Sequence, residues 1–357
     1  MIVRTPSRPG EIIVEPSSSR HPAAAPDASG ALRLMEETFG FLHSAALRTA
    51  ASLRLADRLA DGPRTAAELA ADTGTDGAAL QRLLRHLASR GVFQEDDAGA
   101  FGLTPAAYAL RTDVPGSLHS AVLLLTDDMF QRSAADLAGT VRTGESAFPR
   151  VFGTPFFQHL ETDGAAREVF DAGMAAFSGP LDDVVAAAYP FPERGTVVDV
   201  GGGRGGLLRS VLLRHPGLSG VLFDRAAAVR EPLLATEELS GRWRAEPGDF
   251  FAAVPEGDVL LLKHVLPDWS DEDCVRILRS CRRALAPGGR VLVVDAVPPP
   301  GNAPHPGKDL DLLMMTALGG STRSPAELDA LFARSGLRPV RILPTPGFAS
   351  IVEAAAA

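Results

Sequence analysis

The run Val197-Val198-Asp199-Val200-Gly201-Gly202-Gly203-Arg204-Gly205-Gly206-Leu207 decides the fold. An apolar strand enters a glycine-rich turn, and Leu207 to Arg214 then carries apolar residues at helical spacing. Glycine lets a backbone come close to a ligand, and the helix that follows offers its N-terminus to that ligand. Downstream, β-rich runs go on alternating with helical patterns: Gly220–Asp224, Asp258–Leu262, Asp271–Leu285, Arg290–Val297 and Pro325–Arg334. This alternation predicts an α/β domain with a mostly parallel sheet over residues 191–357. Only the turn around Pro344–Gly347 separates the last two strands, Arg338–Leu343 and Ala349–Ala354, so they are expected to pair antiparallel.

Upstream the pattern changes. Residues 116–190 read as a helical linker and pocket region, broken by Gly144, Pro149, Gly153 and Pro155. In it Met129, Phe130, Phe152, Phe156, Phe157, Met174 and Phe177 are candidates for a flat apolar pocket or for plain core. His43, His119 and His159 are candidates for a local base there. Residues 31–115 hold a small helix-turn-helix with a wing. Thr65-Ala-Ala-Glu68 opens one helix as a capping box and Asp76 caps the next. The runs Val92–Gln94 and Ala100–Leu103 flank the turn Asp96–Gly99 as a hairpin. Acids such as Glu68, Asp76 and Glu95 surround Arg82, Arg85 and Arg90, which favours packing or dimerisation over DNA contact. Residues 1–30, with five prolines and a serine run, read as a disordered tail.

Composition sets the bounds. The chain has 357 residues, 45% of them hydrophobic and 22% charged, enough for two domains with a sizeable core. A formal net charge of −9 argues against general nucleic-acid binding. No apolar run approaches the ~20 residues of a membrane span, and no secretory signal opens the chain, so a cytoplasmic protein is expected. Cys274 and Cys281, seven apart in one helical pattern, suit neither a disulfide nor a metal site.

Taken alone, the glycine-rich turn fits NAD, FAD or S-adenosylmethionine. Three acids favour the last. Asp199 precedes the first glycine, where it reaches an ammonium or a water network. Asp224 ends the next strand, suited to a ribose diol, with Arg225 beside it. Asp249, in Gly248-Asp249-Phe250-Phe251, is placed to hold an adenine amino group.

From about residue 31 onwards the chain resembles the S-adenosylmethionine-dependent O-methyltransferases of plant and bacterial secondary metabolism. The resemblance rests on Asp199-Val-Gly201-Gly-Gly203-Arg-Gly205, on Gly248-Asp249-Phe250-Phe251, and on Leu262-Lys263-His264-Val265-Leu266-Pro267-Asp268-Trp269. It extends to Pro287-Gly288-Gly289-Arg290 and Gly319-Gly320-Ser321-Thr322-Arg323-Ser324. It implies a Rossmann-like methyltransferase domain behind a mostly helical winged-helix dimerisation domain, and a homodimer acting on a small aromatic or polyketide-type molecule. By this resemblance Gly201 and Gly203 contact the methionine part of the cofactor, Asp224 the ribose, and Asp249, Phe250 and Lys263 the adenine. Ser178 falls near the cofactor carboxylate. Met174 and Trp269 fall at the substrate, where Met129, Phe130, Asp311 and Met315 are further candidates.

One position departs from the family. Its usual base is a histidine directly before Asp-Trp, and here that residue is Pro267, which accepts no proton. The two acids that brace the histidine in many plant members read Asp295 and Thr322. Anthracycline-tailoring members also lack the histidine, and Arg323 matches an arginine near their substrate. His264, three residues upstream, is the candidate substitute, although strand alternation is expected to point it away from the site. Two readings follow. One is an O-methyltransferase relying on proximity in place of a strong base. The other is a tailoring enzyme (a decarboxylase, hydroxylase or pericyclase) that keeps its cofactor without using the methyl group. A third, a DNA-binding regulator, has only the helix-turn-helix behind it.

Overall fold

Apolar residues alternate along each strand of the large domain, and that alternation builds the molecule. In Val259-Leu260-Leu261-Leu262, Leu260 and Leu262 join one buried cluster and Val259 and Leu261 the other. A sheet with both faces covered by helices requires such a strand. The computed structural model describes residues 28–357. Of the tail expected over residues 1–30, residues 1–27 lie outside the described residues, and Ala28 already opens the helix Ala28–Thr38.

The chain divides into two units, Met1–His43 and Ser44–Ala357. In the first, Leu32, Leu34, Met35, Phe39, Phe41 and Leu42 are all exposed. The second contains both the winged helix and the large sheet.

In the winged helix, β1 (Arg64–Thr65), β2 (Phe93–Glu95) and β3 (Ala100–Leu103) form an antiparallel sheet in the order β1-β3-β2. The capping box is complete at helix Ala66–Thr73: Thr65 accepts the Glu68 N–H, and the Glu68 carboxylate accepts the Thr65 N–H at 2.7 Å. Asp76 caps helix Gly77–Ser89, accepting the Ala79 N–H at 2.7 Å. Leu69, Leu84, Leu87, Phe93 and Phe101 are buried between these elements.

The large sheet contains β4 (Gly195–Val200), β5 (Leu218–Asp224), β6 (Trp243–Pro247), β7 (Gly257–Lys263), β8 (Leu285–Ala296), β9 (Leu337–Pro344) and β10 (Ala349–Ala356), ordered β6-β5-β4-β7-β8-β10-β9. Strands β4 to β8 pair in parallel. Strand β10 is antiparallel to both β8 and β9, as expected of the closing hairpin. From β4 the chain steps outward to β5 and β6, then crosses back to β7 on the other side. That reversal leaves a crevice at the C-terminal strand ends, where open α/β sheets bind ligands. Cys274 and Cys281 are buried free thiols in helix Asp271–Ala284, each pushed up to about 12 by burial. Among the described residues no helix is long and apolar enough to cross a membrane.

Candidate active site

A cavity of about 590 Å³ opens at this crevice. The turns after β4, β5, β6 and β7 supply one side, and the helix Gly164–Ala188 supplies another. Along that helix Phe170, Met174, Ser178 and Asp182 recur every four residues, and all four line the cavity. A helix places residues i and i+4 on one face, so one row of side chains runs the length of the site.

Every residue expected at the cofactor, from Ser178 to Lys263, lines this cavity. At Gly203 the backbone has φ +57, and a Cβ there would meet nothing within 4 Å, so the turn faces open space. The Gly203 N–H donates to Asp224 Oδ2 at 2.8 Å, which ties the glycine turn to the end of β5. Asp249 Oδ1 accepts the Phe251 N–H at 2.9 Å. Lys263 donates to Ser178 Oγ at 3.3 Å and forms an ion pair with Asp182. Its ammonium therefore lies against the helix Gly164–Ala188.

Electrostatics favour a cationic ligand. Burial pushes Asp199 up to about 7; Lys263 partly offsets this, and Asp182 and Asp224 add to it. Burial likewise raises Asp182, against the pull of Lys263. Carboxylates gathered in an enclosed space resist ionisation until a positive charge arrives. A sulfonium that also bears an ammonium supplies that charge, so the residues present fit S-adenosylmethionine.

Trp269, expected at the substrate, lines the cavity beside Phe250 and Phe251. Its ring meets Phe250 (5.9 Å) and Phe251 (4.8 Å) edge-on and stacks on Phe157 (5.5 Å). The Arg225 guanidinium lies 5.4 Å from the centre of the Phe157 ring, and its Nη1 is 2.8 Å from Glu161. Leu160, Phe170, Met174, Val265 and Asp268 also line the cavity.

Several expectations are corrected. Met129 and Phe130 are buried in the aromatic cluster around Phe148 and Phe156 and do not line the cavity. Asp311 and Met315, on helix Pro306–Ala317, are also outside the lining. Asp311 accepts the Thr322 N–H at 2.7 Å, and Leu313 and Ala317 are the residues of that helix turned to the aromatic cluster. His119 bonds the Ala51 carbonyl, and His159 packs on Phe148 and Phe152; neither lines the cavity.

His264 does line it, contrary to strand alternation, because its backbone leaves β7 with φ +54. The ring lies between Phe177 and Phe348, with Nδ1 3.2 Å from Asp295 Oδ1. His264 Nε2 and Asp295 Oδ2 are both enclosed and without partners. Asp295 itself is off the cavity, and burial raises it while His264 opposes the shift. Arg323 is off the cavity too. Its guanidinium holds the Leu266, Ser321 and Trp269 carbonyls and the Asp271 carboxylate. Thr322, at the second brace position, donates to the Gly307 carbonyl at 3.1 Å. Sequence reasoning missed Asp182 and Asp268. The first was legible from its place four residues after Ser178, and the second stands inside a motif already singled out.

Comparison with known proteins identifies the family. Residues 134–338 match the O-methyltransferase domain family, and residues 35–113 match the O-methyltransferase dimerisation domain family. The phenazine O-methyltransferase PhzM of Lysobacter antibioticus is 40% identical over 324 residues, covering 90% of this chain and 95% of that protein. The O-demethylpuromycin-O-methyltransferase of Streptomyces alboniger is 40% identical over 334 residues, covering 90% and 88%. Among solved structures, CalO1, a methyltransferase in calicheamicin biosynthesis in its S-adenosylhomocysteine-bound form, superimposes with a TM-score of 0.87 at 45% identity. That match covers 93% of this chain and all of the other. The chain belongs to the S-adenosylmethionine-dependent O-methyltransferases, with S-adenosylmethionine as its cofactor and a dimerisation domain at its N-terminal side.

Proposed function

We propose that this enzyme methylates a hydroxyl group on an aromatic or polyketide-type secondary metabolite. The observation that carries this reading is that one cavity holds the cofactor residues together with apolar Leu160, Phe170, Met174 and Val265 and the carboxylate of Asp268. An apolar lining with a few polar side chains suits an aromatic ligand that carries polar groups. The relatives' names, which specify a phenazine and a puromycin precursor, support the substrate class.

The bound cofactor supplies an electrophilic methyl group on a sulfonium. This chain's residues do the rest. Asp199, Asp224 and Asp249 stand at three successive strand ends to hold the cation, ribose and adenine. Phe170 and Met174 orient the acceptor and keep water from it. Holding two reactants in attacking geometry lowers a barrier by up to about 7–11 kcal/mol in favourable cases. His264 and Asp295 brace each other, and Arg323 positions the turn Leu266–Trp269. Most of the relatives are methyltransferases, so the reading in which the methyl group is retained is not favoured, although aclacinomycin 10-hydroxylase of Streptomyces purpurascens is also 39% identical over 307 residues.

The exposed apolar residues Leu32, Leu34, Met35 and Phe41 support a homodimer through the N-terminal segment, to be measured by sedimentation. We read the winged helix as part of that assembly and not as a DNA reader, since Arg85 is held by Glu95 and Arg64 by Asp72. The cofactor is a cytoplasmic metabolite, which supports a cytoplasmic site of action. The test is release of S-adenosylhomocysteine on a panel of hydroxyquinones, naphthols and hydroxyphenazines. Release with at least one of them is expected; none across the panel, despite cofactor binding, contradicts the reading.

A further inference from the structure

We infer that Asp268, and not the imidazole of His264, takes the proton of the acceptor hydroxyl; the inference rests on the methyltransferase reading above and deepens it. Pro267 fills the family's histidine position, and Asp268 is the next residue, at the cavity wall. Among the described residues its carboxylate has no hydrogen-bond partner, and neither oxygen is sealed from the cavity. His264 differs on both counts: Nδ1 is taken by Asp295, and Nε2 is enclosed. A general base has to come within hydrogen-bond reach of the proton it removes. The carboxylate is open to a ligand in the cavity, and the imidazole nitrogens are not.

The turn that carries Asp268 is held from behind. Arg323 Nη1 donates to the Leu266 carbonyl at 2.9 Å and Nη2 to the Trp269 carbonyl at 2.8 Å, one on each side of Asp268. Gly320 packs so closely that a Cβ there would collide with the Pro267 carbonyl oxygen. A carboxylate fixed in this way keeps its direction without a bond of its own. Its setting also suits a base. Burial pushes Asp268 well above the usual carboxylate range, and the charge of Asp295 adds to this. A raised pKa makes the ionised carboxylate a stronger base and leaves less of it ionised at neutral pH. His264 stands at the end of β7, Arg323 and Asp271 lie behind the turn, and Arg167 and Asp171 line the same cavity from the helix Gly164–Ala188.

The proton passes from the hydroxyl to Asp268 as the oxygen forms its bond to the methyl carbon. The methyl–sulfur bond breaks with its electron pair staying on sulfur, which cancels the positive charge. Asp268 returns the proton to water once the ether has left.

The experiment compares wild type, Asp268→Asn and Asp268→Glu on phenols of graded acidity. These range from a hydroxyquinone already ionised at the assay pH to a simple naphthol with a pKa of about 10. The inference predicts that Asp268→Asn slows kcat on the naphthol by roughly 10²–10⁴-fold and on the ionised hydroxyquinone by less than about tenfold. Asp268→Glu recovers part of the naphthol rate. An equal loss on every acceptor, or full activity of Asp268→Asn, overturns it.

A second readout needs no turnover. The visible spectrum of 1,2-dihydroxyanthraquinone, bound together with S-adenosylhomocysteine, is titrated with pH. An ionised Asp268 beside the dye raises its ionisation midpoint, so Asp268→Asn lowers that midpoint; an unchanged midpoint overturns the inference. If wild type releases no S-adenosylhomocysteine on any acceptor, the methyltransferase reading fails, while the dye titration still decides whether Asp268 meets the hydroxyl.

Discussion

One set of cavity-lining residues consists of backbone turns and carboxylates at the ends of neighbouring parallel strands: Gly203 after β4, Asp224 on β5 and Asp249 after β6, which we propose as the cofactor end. A second set, which we propose as the acceptor end, consists of side chains brought together from distant segments, Phe170 and Met174 on one helix and Asp268 on a short turn. Sheet register fixes the first set. Helix packing and the bracing of one turn fix the second. Changes at the strand ends should therefore alter cofactor affinity for every acceptor, whereas changes at the helix and turn should alter which acceptors react. The turn Leu266–Trp269 joins the two ends, since Trp269 packs with Phe250 and Phe251 while Asp268 belongs to the second set.

That joint is where the largest effect is expected. Replacing Arg323 by Met leaves three buried carbonyls without their donor, at about 1–3 kcal/mol for each group that stays unpaired. Urea unfolding should show a loss of roughly 3 kcal/mol, and the folded variant should lose both cofactor affinity and turnover. Unchanged stability would show that the guanidinium is not what holds the turn.

Trp269→Ala separates the two ends. Adenine stacking is worth about 1–3 kcal/mol, so calorimetry should show cofactor affinity falling by roughly 5–100-fold, with acceptor KM little changed at saturating cofactor. The reverse pattern would return Trp269 to the substrate.

Asp199 gives the cofactor end its pH dependence. With its pKa at about 7, it is largely neutral at pH 6 and ionised at pH 8. A cationic ligand prefers the ionised form, so binding lowers the pKa and releases a proton. Affinity should rise roughly tenfold from pH 6 to pH 8, and Asp199→Asn should flatten that rise. An equally steep rise in the variant would assign the titration elsewhere. Smallest is Met174→Ala, which removes apolar contact worth about 1 kcal/mol. Acceptor KM should rise about fivefold by that measure while cofactor affinity stays constant; a fall in cofactor affinity would blur the division.

The strand-end residues were legible in the sequence because each sits within a few residues of the strand it terminates. A glycine run after Val200, or an acid closing Leu218–Asp224, carries its geometry locally. The antiparallel closing hairpin was legible for the same reason. The acceptor end was not, because its members are far apart in the chain. Nothing near Met129 or Phe130 tells that they face Phe148 and Phe156 and not the cavity. His264 was misread because a non-glycine residue with positive φ breaks strand alternation without a sequence signal. Arg323 stands in a recognisable motif, but its partners, Leu266 and Trp269, lie more than fifty residues away.

The most direct test of methyl transfer by this chain uses S-adenosylmethionine labelled with a trideuteromethyl group, incubated with the purified enzyme and the panel of aromatic hydroxyl compounds. Mass spectrometry should find a product carrying one trideuteromethyl group in place of a hydrogen, matched mole for mole by S-adenosylhomocysteine. A product that gains oxygen, loses carbon dioxide or keeps its mass while the labelled cofactor stays intact would contradict the account.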